Sequence, residues 1–344
     1  MRAENRTPAP ATSPGRKPLD AAGLARAVLR PGGLWRAVEV VDRTGSTNAD
    51  LLGRALGGAP EGVVLAAEEQ SAGRGRMGRT WVSPPRAALT FSLLVRPATV
   101  PPARRGWLPL LAGVAVASAV TAVTGVQTRL KWPNDVLVGP AKLAGILAEA
   151  AGDAIVVGVG LNVSAEPGEL PPPGPGALAA TSLRIAASAS AASAVQDSPA
   201  LDGPALDSPA LDSAALDREP LLIAILADFE RWYQAWSRAG GDPERSGLRA
   251  EYTRLSGTIG RRVRAELPGG QVLSGLAAGV DLDGRLLVRV SSGTTLPVAA
   301  GDVVHLRLSS GDGRGASPAG VGDRPQPGRQ VRIVSQSFLA SGTL

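Results

Sequence analysis

The sequence predicts an α+β fold in which a mixed sheet with flanking helices is followed by a small β-barrel. Strand patterns occur both as hairpins and as strands joined through helices, which disfavours a purely parallel sheet. One apolar run, residues 107–124, is long enough for a central helix. Residues 257–308 hold short β-runs divided by Pro268-Gly269-Gly270 and by Asp283-Gly284, a pattern typical of a small antiparallel barrel.

The periodic part of the chain begins near Leu19. Leu24, Val28 and Leu29 share one helical face, and Ser46 and Thr47 fall where a strand gives way to a helix. After the first helix, the pattern predicts strand Trp35–Val41, helix Asn48–Arg54, strand Val63–Ala67 and strand Leu89–Val95.

The elements after the central helix include hairpins. The pattern predicts strand Gln127–Lys131, a turn at Trp132–Asp135, a hairpin of Val136–Val138 with Gly145–Ala150, and strand Ile155–Val163. A further helix begins near Glu219-Pro220. Its apolar residues follow the i, i+3, i+4 spacing of one core-facing stripe: Leu222, Ile225, Leu226, Phe229, Tyr233 and Trp236.

Composition divides the chain into four parts. Residues 1–19 lack apolar groups to bury and are expected to be a disordered arm, and residues 20–252 form the main domain. Within it, residues from about 187 to 218 are expected to be a flexible insert, because Asp recurs every five residues from Asp197 to Asp217, a unit too short for a solenoid. Residues 253–308 form the barrel domain, and residues 309–344 are expected to be a disordered tail.

Composition also excludes several chemistries. The 344 residues include no cysteine and one histidine, His305, which excludes disulfides, thiolate metal sites, cysteine nucleophiles and multi-histidine zinc sites. Any reaction must therefore use Lys, Arg, carboxylate and amide groups. The net charge of +6 indicates anionic partners such as phosphates.

One stretch is long enough to span a membrane. Residues Gly106–Thr128 carry no charge, but they are mostly Ala, Val, Ser, Thr and Gly, with Pro109 near the start. This composition favours a buried core helix over a membrane span. The N-terminus has no apolar signal segment, so we expect a cytoplasmic protein without membrane contact.

Two polar motifs lie in the first part of the main domain. Gly45-Ser46-Thr47-Asn48 offers hydroxyl and amide groups at a strand–helix junction, where the simplest interpretation is a helix N-cap. Residues 68–81, EEQSAGRGRMGRTW, alternate glycines with arginines, which lets the backbone approach a ligand while guanidinium groups meet phosphate or carboxylate. A nucleic-acid patch is the alternative interpretation.

Three further motifs follow the central helix. Lys131-Trp132-Pro133-Asn134-Asp135 presents a cation, an aromatic ring, an amide and a carboxylate on one rigid turn. Lys142 opens the stretch KLAGILAE, where an ordinary lysine would be merely solvated. Residues 158–163, GVGLNV, place Asn162 in an apolar strand, and a buried amide requires a partner.

In this order and spacing, the five motifs resemble those of the biotin protein ligases. The resemblance covers roughly residues 20–165 and 219–308. It implies a catalytic domain of the type shared by biotin and lipoate ligases and class II aminoacyl-tRNA synthetases, followed by an SH3-like barrel. It also implies a two-step reaction: biotin and ATP, with Mg²⁺, give biotinyl-5′-AMP, and the biotinyl group then passes to a lysine of a biotin carboxyl carrier domain of an acyl-CoA carboxylase.

The resemblance also implies roles for individual residues. Lys142 and Arg76 are the expected catalytic residues, and Asp135 is a candidate Mg²⁺ contact. The expected biotin-binding residues are Ser46, Thr47, Asn48, Gln70, Arg74, Gly75, Arg76 and Lys142. The expected ATP-binding residues are Arg76, Arg79, Trp81, Lys131, Asn134 and Asn162.

Some biotin protein ligases carry an N-terminal helix-turn-helix domain. Only 45 residues precede Ser46, too few for such a domain in addition to the leading helix and strand, so we expect a monofunctional ligase that does not bind DNA. Two alternatives stay open. One is a non-catalytic protein that senses biotin or binds nucleic acid, and the other is a lipoate or octanoate transferase on the same fold.

Overall fold

A seven-stranded mixed sheet forms the framework of the main domain. The computed structural model describes residues 15–174, 177–196, 216–267, 271–299 and 302–305. The strands of this sheet are β1 (Ala37–Thr44), β2 (Val63–Gln70), β3 (Ala88–Val95), β4 (Arg129–Lys131), β5 (Asp135–Val138), β6 (Ala141–Ala151) and β7 (Ala154–Asn162). They lie in the order β1-β2-β3-β7-β6-β5-β4. Only β1 and β2 are parallel, and the other neighbours are antiparallel, which confirms the predicted α+β class.

Helices cover both faces of this sheet. The helices are α1 (Ala21–Val28), α2 (Thr47–Leu56), α3 (Leu108–Thr124), α4 (Leu183–Gln196), α5 (Arg218–Arg238) and α6 (Leu248–Leu255). Strand β2 shows the two faces directly, because Val64 and Ala66 belong to the larger core with α3 and α5, whereas Val63 and Leu65 belong to a smaller core with α2. Because α2 is short, it leaves part of its face of the sheet uncovered.

The central helix α3 is buried on nearly every side. With the short 3₁₀ segment before it, residues Pro102–Thr124 are long and apolar enough to cross a membrane by length and composition. Two-thirds of that apolar stretch is nevertheless buried inside the protein, against the sheet and α5. The helix is therefore the core element predicted from its composition.

The C-terminal part of the chain forms the small antiparallel β-domain that the sequence predicts. Its strands are β8 (Arg262–Glu266), β9 (Val272–Val280), β10 (Leu286–Arg289), β11 (Thr295–Val298) and β12 (Asp302–His305). They form a five-stranded antiparallel sheet in the order β11-β10-β9-β8-β12. In the part of the chain that the structure describes, no ladder joins β11 to β12. The short antiparallel strands and the turns between them are those predicted for the SH3-like domain.

Two indole groups attach this C-terminal sheet to the main domain. Trp107 donates its ring N–H to the Leu282 carbonyl (3.0 Å), and Trp132 donates its ring N–H to the Gly284 carbonyl (3.0 Å). Gly106 lies against the same turn, where an added Cβ would overlap the Asp283 carbonyl oxygen. The turn before β10 is therefore docked on the start of α3 and on the turn that follows β4.

Two segments predicted to lack structure contain ordered residues. Residues 1–14 of the predicted arm lie outside the described part, but Arg16 forms an ion pair with Glu169 (2.5 Å) and donates to the Ser164 carbonyl (3.0 Å). Helix α4 occupies the start of the predicted insert, because its alanines have high helix propensity. Residues 197–215 of the insert and the predicted tail at 309–344 lie outside the described residues.

A buried ion pair closes the main domain where the chain returns from this insert. Arg218 approaches Glu68 at 2.6 Å, and the two side chains are only 6% and 4% exposed. Glu68 also accepts the Leu19 backbone N–H (2.6 Å), and Arg218 donates to the Lys17 carbonyl (2.6 Å). One pair therefore joins the N-terminal segment, the end of β2 and the start of α5.

Arg218→Ala should lower the free energy of unfolding by about 3 kcal/mol, because it leaves the Glu68 carboxylate buried without its counter-ion. Urea unfolding measures the change. The matched control is Arg231→Ala, whose ion pair with Asp228 is solvent-exposed and should contribute under about 1 kcal/mol. Equal losses in the two variants would contradict the assigned role of the buried pair.

Candidate active site

The first polar motif lies at the start of α2, on the face of the sheet that this helix covers. Ser46 is the N-cap, and its side chain accepts the Ala49 N–H (3.5 Å), as the capping interpretation predicts. Thr47 turns inward, where its backbone N–H and its hydroxyl lie 2.9 Å and 3.1 Å from the Gln70 Oε1. The end of β2 and the start of α2 thus bring together three of the predicted biotin-binding residues.

Asn48 is buried one position further along the helix. Its Nδ2 donates to the Leu147 carbonyl (3.2 Å) and to the Glu149 carboxylate (2.8 Å), both on β6. Its Oδ1 accepts the Ser92 hydroxyl of β3 (2.7 Å). Gly158 makes room for this amide, because a Cβ at that position would overlap it. All hydrogen-bonding groups of the Asn48 side chain are therefore fixed by the sheet.

The glycine- and arginine-rich segment forms a folded loop. Arg74 pairs with Thr80 in an antiparallel bridge, and the Gly75 N–H donates to the Arg79 carbonyl (2.6 Å). The tip requires left-handed backbone at Met77 (φ 55°) and at Gly78 (φ 72°). This excludes the extended conformation of a simple RG tract for residues 74–80. The Arg74 guanidinium reaches the Glu149 carboxylate at 3.6 Å.

Trp81 closes the loop on a floor made of glycines. A Cβ at Gly160 would overlap the Trp81 ring, and a Cβ at Gly145 would lie 3.2 Å from it. The ring therefore rests directly on the backbone of β6 and β7. Its Nε1 is buried and has no hydrogen-bond partner among the described residues.

Two lysines meet at one carboxylate beside this ring. The Lys142 ammonium lies 2.7 Å from Asp135 Oδ1, and the Lys131 ammonium lies 3.4 Å from Asp135 Oδ2. The Lys142 Nζ is also 5.9 Å from the centre of the Trp81 ring. Lys142 is 29% exposed, against 12% for its two neighbours, so it faces the open side of the cluster.

The two predicted asparagines have different surroundings. Asn134 donates its Nδ2 to the Ile146 carbonyl (2.9 Å), and the Ile146 N–H donates to the Asn134 carbonyl (2.9 Å). Asn134 therefore pins the turn of the cis Trp132–Pro133 peptide onto β6. Asn162 donates its Nδ2 to the Thr181 carbonyl (2.9 Å), but its buried Oδ1 has no partner among the residues that the structure describes. That oxygen is an acceptor available to a ligand.

Arg76 and Arg79 lie at the tip of the loop. Arg76 lines a cavity of about 460 Å³ between the main domain and the C-terminal sheet, together with Asn134 and Arg285. The Arg79 Nε donates to the Arg76 carbonyl (3.2 Å), which helps to hold the tip in its folded form. The loop thus extends from the Glu149 contact at its base to the interdomain cavity at its tip.

The surroundings of Asp135 do not fit a metal ligand. Its carboxylate already faces two ammonium groups, and a metal ion would have to displace them. Among the described residues there is also no group of three His, Cys, Asp or Glu side chains that could hold a metal ion. The geometry makes Asp135 the anchor of the two lysines.

Sequence reasoning missed two residues of this site. Ser92 lies fully buried in β3, where it joins Thr47 (2.7 Å) to Asn48. Its signal was a hydroxyl in the largely apolar strand ALTFSLLV, which it shares with Thr90. Glu149 ends the motif KLAGILAE, and its carboxylate on a half-buried strand was the corresponding signal.

The fold and this site define a class of ligase. A model of the biotin/lipoate A/B protein ligase family matches residues 40–164, which include every motif described above. A second model, the biotin protein ligase C terminal domain, matches residues 258–306. This second match accounts for the C-terminal sheet.

A relative that is matched over nearly its whole length identifies the family within this class. The chain is 45% identical to the biotin–[acetyl-CoA-carboxylase] ligase of Mycobacterium tuberculosis over 296 residues, which are 85% of this chain and 97% of that protein. It is 41% identical to the ligase of the same name from Paracoccus denitrificans over 144 residues, 38% of this chain and 59% of that protein. The chain therefore belongs to the biotin protein ligase family.

A solved structure shows the same fold. The biotin protein ligase from Aquifex aeolicus in complex with biotin and ATP superposes with a TM-score of 0.59, covering 80% of this chain and 100% of that one. The sequence identity is 23%, so this likeness concerns the fold alone. It agrees with the arrangement of mixed sheet, flanking helices and separate C-terminal sheet.

Gly160→Ala should displace the Trp81 ring and lower the free energy of unfolding by about 1–3 kcal/mol, because the methyl group overlaps a packed side chain. Urea unfolding measures the stability, and acrylamide quenching of fluorescence, with Trp81→Phe as reference, measures the exposure of the ring. The control is Gly279→Ala, where an added Cβ meets no atom within 4 Å. Quenching that stays the same in Gly160→Ala would show that the ring does not rest on this glycine.

Proposed function

We propose that this protein is an ATP-dependent biotin protein ligase. It would activate biotin as biotinyl-5′-AMP and transfer the biotinyl group to the ε-amine of a lysine on a biotin carboxyl carrier domain of an acyl-CoA carboxylase. The observation that carries this proposal is the Lys142–Asp135–Lys131 cluster beside Trp81. The identity with the M. tuberculosis ligase over nearly the whole length of that protein supports the same reaction.

The first step brings like charges together. A carboxylate oxygen of biotin attacks the α-phosphorus of ATP, and the bond to pyrophosphate breaks. Lys142 is the open member of the lysine cluster, so its ammonium group would contact both the attacking carboxylate and the α-phosphate and stabilise the charge that develops between them. Lys131, with Arg76 and Arg79 of the loop, would neutralise the remaining phosphates, and Asn134 holds the turn that places Lys131.

The adenine ring would lie beside the glycine floor. Trp81 offers an aromatic face for stacking, and its indole N–H has no partner in the part of the protein that the structure describes. The Oδ1 of Asn162 would accept a hydrogen bond from the amino group of adenine. Among the described residues this buried oxygen has no other hydrogen-bond donor. Two unpaired polar atoms near one aromatic ring thus suit a base that has both donors and acceptors.

The biotin ring would occupy the polar pocket at the start of α2. Ser46, Thr47 and Gln70 supply hydroxyl and amide groups there, and Asn48, whose own groups are bonded to the sheet, would help to fix the position of Thr47 through Ser92. Arg74 and Gly75 belong to the loop beside the pocket. In the second step the acceptor amine attacks the carbonyl carbon of the mixed anhydride, AMP leaves, and the amine loses one proton. Closure of the loop would protect the anhydride from water in the meantime.

Mg²⁺ is expected to arrive with the nucleotide and to be held mainly by its phosphates. No step is assigned to Asp135 as a metal ligand, because its carboxylate faces Lys131 and Lys142. The proposed domain limits are residues 20–252 for the catalytic domain and residues 253–308 for the C-terminal domain. We further propose a cytoplasmic location, for which the absence of cysteine is the supporting observation.

The lysine cluster also distinguishes the alternatives. A protein that only senses biotin or binds nucleic acid has no need for two ammonium groups beside an adenine-sized aromatic platform. A lipoate or octanoate transferase would accept a linear acyl chain and would gain nothing from the fixed amide of Asn48. The polar pocket therefore favours biotin as the carboxylic acid.

The proposal is tested by incubating the purified protein with biotin, MgATP and a biotin carboxyl carrier domain. Biotin on the acceptor is detected with streptavidin, and pyrophosphate release is measured in parallel. Both signals are expected, and both should be absent when octanoate replaces biotin. No acceptor labelling together with no pyrophosphate release would refute the ligase. An acceptor that gains the mass of an octanoyl group, measured by mass spectrometry, and gains no biotin would support the transferase.

Lys142→Ala should slow biotin-dependent pyrophosphate release at least about a hundredfold, because it removes a cation from the developing charge. The chain offers a matched control, since Lys17→Ala removes an exposed lysine outside the site and should leave the rate unchanged. Circular dichroism checks that both variants fold. A near-normal rate in Lys142→Ala would remove this lysine from the reaction.

A further inference from the structure

A continuous chain of polar side chains runs beneath the proposed biotin pocket and ends at a carboxylate that has no role so far. Each member lies within hydrogen-bond or ion-pair distance of the next. In order, its members are Gln70, Thr47, Ser92, Asn48, Glu149 and Arg74. This series of side chains joins three strands, the start of α2 and the base of the arginine loop.

The direction of the hydrogen bonds is determined at Asn48. Its amide nitrogen faces two groups that can only accept, the Leu147 carbonyl (3.2 Å) and the Glu149 carboxylate (2.8 Å). Its Oδ1 must therefore face the Ser92 hydroxyl (2.7 Å). Since an amide oxygen carries no proton, the Ser92 hydroxyl is the donor in this contact.

The same reasoning continues to Thr47. A hydroxyl has one proton, and Ser92 has already given its proton to Asn48, so Thr47 must donate in the 2.7 Å contact between the two hydroxyls. This contact between the two hydroxyls is shorter than the 3.1 Å contact from the Thr47 hydroxyl to the Gln70 Oε1. The Gln70 Oε1 accepts a hydrogen bond from the Thr47 backbone N–H. The Thr47 oxygen is left with lone pairs and therefore presents an acceptor.

Glu149 is the charged end that fixes this direction. A carboxylate accepts and never donates while ionised, so it holds the Asn48 amide in one of its two orientations. Its other oxygen faces the Arg74 guanidinium at 3.6 Å. One side chain, 28% exposed, thus contacts both the polar pocket and the loop.

We propose that Glu149 is a positioning residue for the biotin ring. By fixing the Asn48 amide it makes Thr47 an acceptor for an N–H of the cyclic urea, and by pairing with Arg74 it holds the loop beside the pocket. This inference rests on the proposed function, because it concerns the orientation of biotin in the same site. Glu149 acts through Asn48 and Arg74 and takes no part in the bond changes.

Glu149→Gln tests the inference, because it keeps the shape of the side chain, removes its charge and adds a donor. Calorimetry without ATP should show biotin binding weakened about tenfold or more, since hydrogen bonds to charged groups are the stronger ones. The KM for ATP should stay within about twofold of the wild-type value. A general loss of structure would instead weaken the binding of both biotin and ATP. The matched control is Glu39→Gln, which removes the charge from the Glu39–Arg54 ion pair (2.8 Å) outside the site. This variant should change neither the biotin affinity nor the KM for ATP.

Double-mutant cycles show whether Glu149 acts through its two neighbours. Glu149→Gln is combined with Asn48→Ala in one cycle and with Arg74→Ala in the other. Side chains that work through each other give non-additive losses, so we expect a coupling of about threefold or more in biotin affinity in each cycle. Additive losses in both cycles would overturn the inference, since a residue that merely stabilises the fold shows no such coupling.

The outcomes separate this inference from the proposed function. Wild-type protein that does not bind biotin overturns both. Wild-type protein that binds biotin, with unchanged binding in Glu149→Gln, overturns the inference alone. If Glu149→Gln does not fold, Ser92→Ala replaces it. This substitution removes the hydrogen bonds that link Thr47 to Asn48 and should also weaken biotin binding about tenfold. Unchanged affinity in a folded Ser92→Ala would then decide against the inference.

Discussion

The attraction of two ammonium groups to one carboxylate governs the arrangement of the site. Without Asp135, the positive charges of Lys131 and Lys142 would repel each other and turn toward solvent, which hydrates ammonium groups strongly. With it, both charges stay beside the glycine floor before any substrate is present. Preorganised charge of this kind does not have to be gathered during the reaction, and this is the main way in which a protein stabilises a transition state.

The position of this cluster depends on the join between the two sheets. Asp135 begins β5 directly after the turn of Trp132–Pro133, and the Trp132 side chain holds the Gly284 carbonyl of the C-terminal sheet. On the other side of the turn, the Trp132 backbone N–H donates to the Thr258 hydroxyl (3.1 Å). The C-terminal sheet therefore supports the turn that carries Lys131 and Asp135, although it contributes no side chain to the lysine cluster.

Periodicity and strand patterns were enough to predict the α+β class and the core helix α3, and the resemblance of the motifs to those of biotin protein ligases implied the grouping of Thr47, Asn48 and Gln70. They could not predict the order at Arg16, because its partners lie about 150 residues away along the chain, nor the helix α4, because alanine-rich sequence fits both a helix and a flexible segment. Ser92 and Glu149 belong to the site only through contacts with distant strands, which a single sequence does not reveal.

The scarcity of lysine gives the chain a chemical property of its own. Among 36 basic residues only three are lysines, and Lys131 and Lys142 both form ion pairs with the Asp135 carboxylate. Arginine stays protonated and does not attack an acyl group at neutral pH, whereas a neutral lysine amine does. A reactive acyl-adenylate made on this protein would therefore meet a surface nearly free of side-chain nucleophiles. The composition protects the catalyst from modification by its own intermediate and leaves that intermediate for an external amine.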